Sequence, residues 1–518
     1  MENKQISELN MDTTSRTQHS ARNTTIAMLA RVLSIALGFC TRIVFTHTLS
    51  EAYVGVNGLF TNILNVLSLT DLGISTAIIY GLYKPIAQKD YEKQKSLLQM
   101  YKYFYRFFAI CVMGIGLLLI PFMDVLIKTK PEGENLVLLY LIYLVNCAMS
   151  YLLVYKKMLV DAHQLSHIGV IYQTVFLVIQ NVLQITVLLT TKNFMVFVLM
   201  MLLCTILNNL CISAKADKLF PYLKEQKVEP LSGEEKQEMY QTIRAMLMHK
   251  LGNVVVNNTA NLLLSAMVGI VSVGIYSNFY LVIGSIRQVL NQMFQGITAS
   301  VGNLSVEESK ERVLRIFQAV FFICQWLFGF ATICLYELLT PFVELSFGAQ
   351  YVFGKGITLV LCLGFYFTGM RQATLVFKDS FGQFQYDKYK AVIEVLINLG
   401  VSIVLGYYCG AIGIFAGMII STLTTSFWFE PYMLYKYSLQ TKVSPYFGRY
   451  AGYVAVTAGV WYVTDLLCEL VQGSVLLQLI GRFGICMIVP NLLFLICYVK
   501  SREFSFLWEK LLRLRGMK

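Results

Sequence analysis

From Ile26 to Val499 the chain is a near-continuous series of apolar segments, each about twenty residues long, separated by short and mostly basic connections. A helix needs roughly twenty apolar residues to cross a hydrocarbon core of about 30 Å. In lipid, only helices and closed barrels satisfy their own backbone polar groups, and continuous apolar runs select helices over the two-residue alternation of a barrel strand. Composition agrees with that solvent. Hydrophobic residues are 56% of 518, charged residues only 14%, and mean hydropathy is +0.61, which excludes an ordinary soluble domain.

The pattern predicts an all-α integral membrane protein of about fourteen transmembrane helices. They fall at 26–49, 53–82, 101–127, 135–156, 166–189, 193–214, 244–268, 273–300, 313–337, 353–378, 388–408, 411–436, 449–469 and 474–499. Residues 1–25 are expected to be a cytoplasmic tail, 26–214 a first six-helix lobe, 215–243 a cytoplasmic linker and 244–436 a second lobe. Two further helices occupy 437–499, and 500–518 form a basic amphipathic tail. There Phe504, Leu507, Trp508 and Leu511 make an apolar stripe opposite Lys510, Arg513 and Arg515, the pattern of an interfacial helix.

Orientation follows from Lys and Arg. With the N-terminus inside, the inner connections collect Lys84, Lys89, Lys93, Lys95, Lys156, Lys157, Lys215, Lys218, Lys224, Lys227, Lys310, Arg312, Lys388, Lys390, Lys436, Lys442 and Arg449. The outer ones hold only Lys128, Lys130, Lys192 and Lys355, so both termini are predicted to be cytoplasmic. These loops account for the net charge of +12 and point to anionic lipid, not nucleic acid, as the partner. The first twenty-odd residues hold no apolar core with a small-residue cleavage site, so Ile26 onward reads as an anchor. The twelve cysteines lie mostly inside apolar spans with no C-x-x-C pair, which speaks against metal and disulfide roles.

Four weak matches share nearly one register. Val54-Gly55-Val56-Asn57-Gly58-Leu59-Phe60 matches Val273-Gly274-Ile275-Tyr276-Ser277-Asn278-Phe279, 219 residues on, and Pro121-Phe122-Met123-Asp124-Val125 matches Pro341-Phe342-Val343-Glu344-Leu345, 220 on. Asp161 matches Asp379, 218 on, and Val178-Ile179-Gln180-Asn181 matches Val395-Leu396-Ile397-Asn398, 217 on. The chain is a tandem repeat of a six-helix unit. An even number of helices gives both copies the same orientation, so the expected architecture is two parallel lobes facing a central cleft.

Charges inside spans are functional candidates. Arg31 and Arg42 lie eleven residues apart on one face of the first span, Arg287 is near the middle of the eighth, and Lys250 follows His249 at the start of the seventh. Arg371 and Lys378 lie in the tenth. Counter-charges are few, chiefly Asp71, Glu394 and Glu430, so the interior is net basic and suits an anionic ligand. The planar guanidinium fork fits phosphate oxygens, which makes Arg31, Arg42, Arg287, Lys250 and Arg371 candidate diphosphate ligands. Arg31 is near enough to the cytoplasmic end to snorkel, so Arg42 is the stronger candidate; each arginine is also open to a second reading as a helix-to-helix ion pair, with Asp71 the obvious partner of Arg42, and Asp71 and Glu394 are candidates for pairing or ion coupling. Asn57, Asn62, Asn65, Asn257, Asn258 and Gln288 are candidates for sugar selectivity or for polar helix contacts. Glycines 55, 58, 73 and 81, with 269, 274, 284 and 296, suit close helix packing.

No ATP engine is visible: the stretch from Gly348 to Gly354-Lys355-Gly356 has the wrong spacing for a phosphate loop and no Ser or Thr. Nor is any connection large enough to carry an enzyme site.

The opening Ser15-Arg16-Thr17-Gln18 to Arg22-Asn23-Thr24 and the stretch ARVLSIALGFCTRIVFTHTLSEAYVGVNGLF carry a family resemblance, as do LSLTDLGISTAIIYGLYKPIA and FGAQYVFG. The chain resembles Wzx-type polysaccharide repeat-unit flippases of the multidrug/oligosaccharidyl-lipid/polysaccharide (MOP) exporter superfamily, over essentially its whole length. The resemblance implies a MATE/MurJ-like fold of two six-helix lobes plus two C-terminal helices in the bacterial cytoplasmic membrane. It implies a non-enzymatic export of undecaprenyl-diphosphate-linked oligosaccharide for capsule or exopolysaccharide, with membrane lipids, a polysaccharide polymerase and export proteins as partners. No cofactor is implied, and proton or sodium coupling stays open. Related lipid II flippases also carry arginines in the first helix, at places similar to Arg31 and Arg42, and a lipid II substrate remains the nearest alternative. The drug-exporting branch relies on an acid in helix 1; this helix 1 has none between Ile26 and Leu49, which disfavours a cation-coupled drug antiporter.

Overall fold

The computed structural model describes residues 13–67, 81–82, 85–86, 88–123, 127, 135–163, 165–224, 231, 233, 237, 259–307, 309–381 and 388–514. The described residues form helices and their connections, without strands. The chain divides into two compact units, Met1–Asn258 and Thr259–Lys518.

In the N-terminal unit, α1 spans Thr13–Thr48. It starts before the apolar run because the polar residues from Thr13 onward contain no glycine or proline to stop a helix, so part of the predicted tail is helical. Next come α2, Glu51–Leu67, and α3, Tyr91–Leu118. The latter begins ten residues ahead of its predicted span. Asp90 caps it by accepting from Lys93 N at 2.9 Å, Glu92 pairs with Lys95 at 2.7 Å, and Gln94 donates to Pro85 O at 3.2 Å. Of these polar residues Gln94 and Lys95 are buried by the fold, and the run as a whole concealed a helix start from a hydropathy ruler. The helix gives way to a 3₁₀ turn, Ile120–Phe122, at Pro121.

The predicted fourth span is broken. Helix α4, Leu136–Tyr151, is followed after a 43° bend by α5, Val154–Ala162. Then α6, Ser166–Thr190, and α7, Phe194–Leu219, form a hairpin whose second helix is capped by Asn193, accepting from Val196 N at 3.0 Å. Helix α1 packs on α6, and α7 on α4, α5 and α6. The Phe45 ring meets Phe194 and Phe197 edge-on, at 5.6 and 5.1 Å between centroids. Beyond the spans, Tyr222 donates to Gln94 Oε1 at 2.6 Å and the His163 ring lies tilted against Phe220, 4.4 Å between centroids. Burial lowers the His163 imidazole below its ordinary range, opposed in part by its hydrogen bond with Leu159 O.

The C-terminal unit begins with α8, Thr259–Val268, which ends in a π turn at Gly269 (φ 128°). Two 38-residue helices follow, α9, Ile270–Glu307, and α10, Lys310–Phe347. At 1.5 Å per residue each is about 57 Å long, so both outrun a hydrocarbon core. Next are α11, Lys355–Met370; α12, Gln372–Ser380; α13, Lys388–Cys409; and α14, Ala411–Thr424. After a break at Thr425 comes α15, Ser426–Met433, continued as a π turn over Leu434–Leu439. The chain closes with α16, Ser444–Glu469; α17, Val475–Tyr498; and α18, Arg502–Leu514. Helix α18 docks through Phe504, which stacks on Trp326 and Trp508, and through Glu503, 3.5 Å from Arg449.

Among the described residues eleven helices, or twelve with the bent α4–α5 pair, are long and apolar enough to cross a membrane. The predicted spans 53–82 and 244–268 are described only in part, so the expected fourteen is not established as a count. Helix α17 leaves Leu476, Ile480, Phe483, Ile488, Leu492 and Ile496 exposed, as a lipid-facing helix does. The protein is a multi-pass membrane protein.

The repeat reappears in the internal wiring. Asn181 and Asn398 are both buried. Three residues after Asn181, Gln184 donates across to Phe197 O at 3.1 Å; four residues after Asn398, Ser402 donates to Ile414 O at 3.1 Å. Both bonds tie the fifth helix of a unit to the sixth, and the two acceptors lie 217 residues apart. The match at proline is looser, since Pro341 lies within α10 where Pro121 ends α3.

Helices α13 and α14 approach through glycine. A Cβ on Gly413 would strike the Leu405 carbonyl, and one on Gly417 would lie 2.7 Å from Ser402 N. Gly417→Val is expected to destabilise the fold by about 1–3 kcal/mol, read as a lower melting temperature of the detergent-purified protein; an unchanged melt would contradict this close approach.

Candidate functional site

The N-terminal unit contains a cavity of about 460 Å³ walled by α1, α4, α5, α6 and α7, within the range of small-ligand sites. Its lining is drawn from stripes at helical spacing: Ala30, Arg31 and Ser34 from α1; Val170, Gln173, Thr174, Leu177 and Gln180 from α6; and Cys204, Thr205, Asn208, Asn209 and Ile212 from α7. Lys157 enters from α5. The stripes on α6 and α7 bring the amides and hydroxyls of otherwise apolar helices to the cavity.

The hydroxyls are already committed as donors to their own helices, Ser34 to Ala30 O at 2.7 Å, Thr174 to Val170 O at 2.7 Å and Thr205 to Met201 O at 3.0 Å. Their oxygens retain acceptor capacity. Asn209 is oriented by donating to Met149 O at 3.1 Å, whereas Asn208 Oδ1 is buried without a donor among the described residues. Arg31 is exposed, and no carboxylate among the described residues pairs with it. Lys156 is tied to Asp217 at 2.6 Å, while the neighbouring Lys157 lines the cavity with Asp161 acting on it from one turn along α5. The chamber thus presents two cations, amides and hydroxyl oxygens, a set suited to an anionic, polyhydroxylated ligand.

Arg42 is elsewhere. Eleven residues along α1 carry it about 16 Å from Arg31, and it does not line the cavity. It is half-buried, 6.0 Å from the Phe45 ring centroid, and close enough to the Tyr143 phenol to act on it electrostatically. Tyr143 in turn donates to Asn57 Oδ1, while Asn62 donates to Gly58 O at 2.6 Å. Asp71, Asn257, Asn258, His249 and Lys250 lie outside the described residues. Asn65 and Gln288 are exposed.

In the C-terminal unit, Arg287 of α9 lies 5.8 Å from the Phe365 ring centroid, and its Nε is buried without an acceptor among the described residues. Arg371, at the junction of α11 and α12, belongs to an ion cluster. Its Nη2 and Nε donate to Glu430 at 2.8 and 3.1 Å, and Nη1 lies 3.6 Å from Glu394. Lys390 Nζ is 2.5 Å from Glu430 and 3.5 Å from Glu394, Lys378 Nζ is 4.0 Å from Glu430, and Ser426 donates to Glu394 at 2.8 Å. Glu430 is 1% exposed and Lys378 6%. Lys390 therefore belongs to the interior, not to the cytoplasmic loop where the sequence placed it, and Lys95 is buried in the same way. The helix breaks at Arg371 and Thr425 flank the cluster, as non-helical backbone at membrane depth is confined to protein interior.

The sequence found Arg31 but not its companions. The spacing Gln173-Thr174-Gln180 and Thr205-Asn208-Asn209 was the available signal, and Lys157 was masked by its place among basic connections.

The helical fold is shared with solved membrane transporters. Residues 20–301 match the family described as polysaccharide biosynthesis protein, and the chain belongs to that family. Among solved structures it is similar to a lipid II flippase, MurJ, in an inward closed conformation, at 14% identity over 92% of this chain and 99% of that one (TM-score 0.62). It is also similar to a multidrug resistance MATE family transporter of the MOP superfamily in an inward-facing conformation (14%; 78% and 94%; 0.57). A third is a MOP superfamily transporter from Pyrococcus furiosus Vc1 (DSM3638) whose binding pocket is described as reversed in polarity (12%; 84% and 99%; 0.54). At these identities the likeness is one of fold. No curated protein matches the chain by sequence at a significant level.

Removing the buried anion from the ion cluster would leave its cations facing one another. Glu430→Ala is expected to destabilise by about 3–5 kcal/mol, seen as loss of monodisperse protein or a much lower melting temperature. Lys355→Ala, at an exposed pair 3.8 Å from Glu469, should leave the melt nearly unchanged.

Proposed function

We propose that the protein is a flippase carrying undecaprenyl-diphosphate-linked oligosaccharide repeat units from the inner to the outer leaflet, by alternating access, for capsular or exopolysaccharide assembly. The observation that carries this reading is the N-terminal chamber, where Arg31 and Lys157 stand beside Gln173, Gln180, Asn208 and Asn209. Phosphate oxygens take the cations, and sugar hydroxyls both donate to and accept from amides. Arg42, farther along α1, supplies further positive charge for the diphosphate, while the polyprenyl chain stays in lipid. Membership of a polysaccharide biosynthesis family supports the same chemistry.

The membrane potential gives a direction. Moving an uncompensated charge of about −2 outward from a negative interior gains about 4.6 kcal/mol per 100 mV, at about 2.3 per charge. The emptied cationic site is then drawn back inward. Proton or sodium coupling would add to this drive without replacing it. Lipid II is the second reading, since it shares the diphosphate and the sugar chemistry, and a solved protein of similar fold is a lipid II flippase.

Each charge-assisted hydrogen bond to phosphate contributes about 1.5–3 kcal/mol. Arg31→Ala with Lys157→Ala is expected to slow flipping by about 10-fold to more than 100-fold, measured by a leaflet-specific sugar probe together with mass spectrometry of polyprenyl-linked lipids. Cells lacking the protein should accumulate a complete diphosphate-linked repeat unit on the inner leaflet and lose surface polymer. Accumulation of lipid II instead would select the second reading, and unchanged lipids with raised sensitivity to organic cations would replace both with drug export.

A further inference from the structure

The chamber of the N-terminal unit has two unlike ends, and the bonds between its walls fix the level of each lining residue. Thr41 of α1 donates to Asn181 of α6, and Gln184 of α6 donates to Phe197 O of α7 at 3.1 Å. Arg31 stands ten residues before the first bond on α1, and Ile171 stands ten before it on α6, so the two share a level. Lys157 reaches the same end, since a Cβ on Gly169 would lie 3.0 Å from its Cε. Asn208 is eleven residues past Phe197 on α7, and Gln173 is eleven before Gln184 on the antiparallel α6, which places both amides within a turn of Arg31. No acceptor among the described residues takes their NH2 groups. Two cations and two uncommitted amides thus gather at this end.

Farther along, the wall changes character. Ser34, Thr174 and Thr205 have each given their hydroxyl hydrogen to their own helix, and Gln180 directs its NH2 to Gln184 Oε1 at 3.4 Å. What these four keep for the chamber are oxygens, the hydroxyl lone pairs and Gln180 Oε1. Gln180 lies about 16 Å along α6 from Gly169, at about 1.5 Å per residue. The α6 lining ends there, where the buried Thr41, Asn181 and Gln184 tie α1, α6 and α7 together. In the orientation predicted from Lys and Arg, the donor end is the inner one and the acceptor end the outer one.

Ionised phosphate and carboxylate groups only accept hydrogen bonds. They match the donor end and are mismatched to a wall of acceptors, which suits hydroxyls and acetamido N–H groups. We propose that a phosphate-linked sugar enters the chamber sugar first, with its phosphate held at Arg31 and Lys157, and that the outer half selects a neutral, donor-bearing sugar against an acidic one. This rests on the reading of the chamber as a site for such a ligand, and it adds the class of sugar that adjoins the phosphate. Cations alone would favour the more highly charged ligand, so the acceptor wall reverses the order that charge by itself would give.

The test is calorimetric titration of the full-length protein in lipid nanodiscs with inorganic pyrophosphate, glucose 1-phosphate and glucuronic acid 1-phosphate. The two sugar phosphates differ only at C6, a hydroxyl that can donate in one and a carboxylate that only accepts in the other. Glucose 1-phosphate is expected to bind about 10-fold to 100-fold more tightly, because a carboxylate against acceptors leaves its own and their hydrogen bonds unmade. Gln180→Leu with Thr205→Val, which removes two of the acceptors, is expected to erase most of that preference, and a preference that survives intact overturns the assignment to this wall. Equal affinities in the wild type, or tighter binding of glucuronic acid 1-phosphate, overturn the sugar class. Pyrophosphate binding that Arg31→Ala weakens would then still uphold the chamber as a phosphate site, whereas binding of none of the three probes overturns both. Should the double variant not be recovered folded, the wild-type comparison decides.

Discussion

Lipid offers no hydrogen bonds, so every polar atom within a span must be met by protein, and this requirement organises the whole structure. Backbone groups are met by the helices themselves. Hydroxyls are met by the preceding turn, as Thr332 donates to Phe328 O at 2.6 Å and Thr464 to Val460 O at 2.8 Å. Amides and indoles reach across: Thr41 bonds Asn181, Gln325 donates to Thr457 Oγ1 at 3.1 Å, and Trp326 donates to Asn491 Oδ1 at 3.0 Å. Because lipid tails are as apolar as leucine, helices gain little from hiding apolar surface from one another. These cross-bonds and close contacts such as Gly417 on Ser402 set the register of neighbouring helices instead.

Charge is the hardest case of the same requirement, and the two units meet it differently. In the C-terminal unit, three cations surround two carboxylates at 2.5 to 4.0 Å, and both acids sit almost wholly inside protein. That arrangement resists opening, since separating either partner exposes an unpaired ion to a medium that solvates it poorly. In the N-terminal unit, Arg31 and Lys157 line a chamber, and of the two it is Lys157 that has a carboxylate, Asp161, acting on it among the described residues.

Most of the fold was legible because span length and apolar continuity are properties of single segments. What was not legible depended on contacts between segments. The start of α3 at Tyr91 was hidden by Glu92, Lys93 and Lys95, which read as a loop until the fold buries Lys95. The break between α4 and α5 leaves no proline or glycine at Leu152–Leu153 to announce it. Lys390 and Lys157 were counted as inner-leaflet charges for the same reason: a count of charge cannot tell a solvated lysine from one turned inward. The in-span arginines were legible as residues that must have a partner, but not which partner. Arg371 is engaged by Glu430 and Glu394, Arg287 lies against Phe365, and Arg42 acts with Tyr143 and Asn57.

The repeat explains why the two sites differ. At the offset of 217 residues that relates Asn181 to Asn398, the chamber residues Gln173 and Leu177 correspond to Lys390 and Glu394. By the same offset Asn209 corresponds to Ser426, and Ser213, one residue past the chamber's Ile212, to Glu430. The wall of the chamber in one unit and the core of the ion cluster in the other are therefore two versions of one ancestral surface. In the C-terminal copy that surface has acquired fixed charges of both signs, which pull the helices together and fill the space between them. At the same four positions the N-terminal copy has two amides, a leucine and a serine, and its charges come from α1 and α5. The duplicated scaffold thus carries an ion cluster in one unit and, in the other, a chamber lined by two cations.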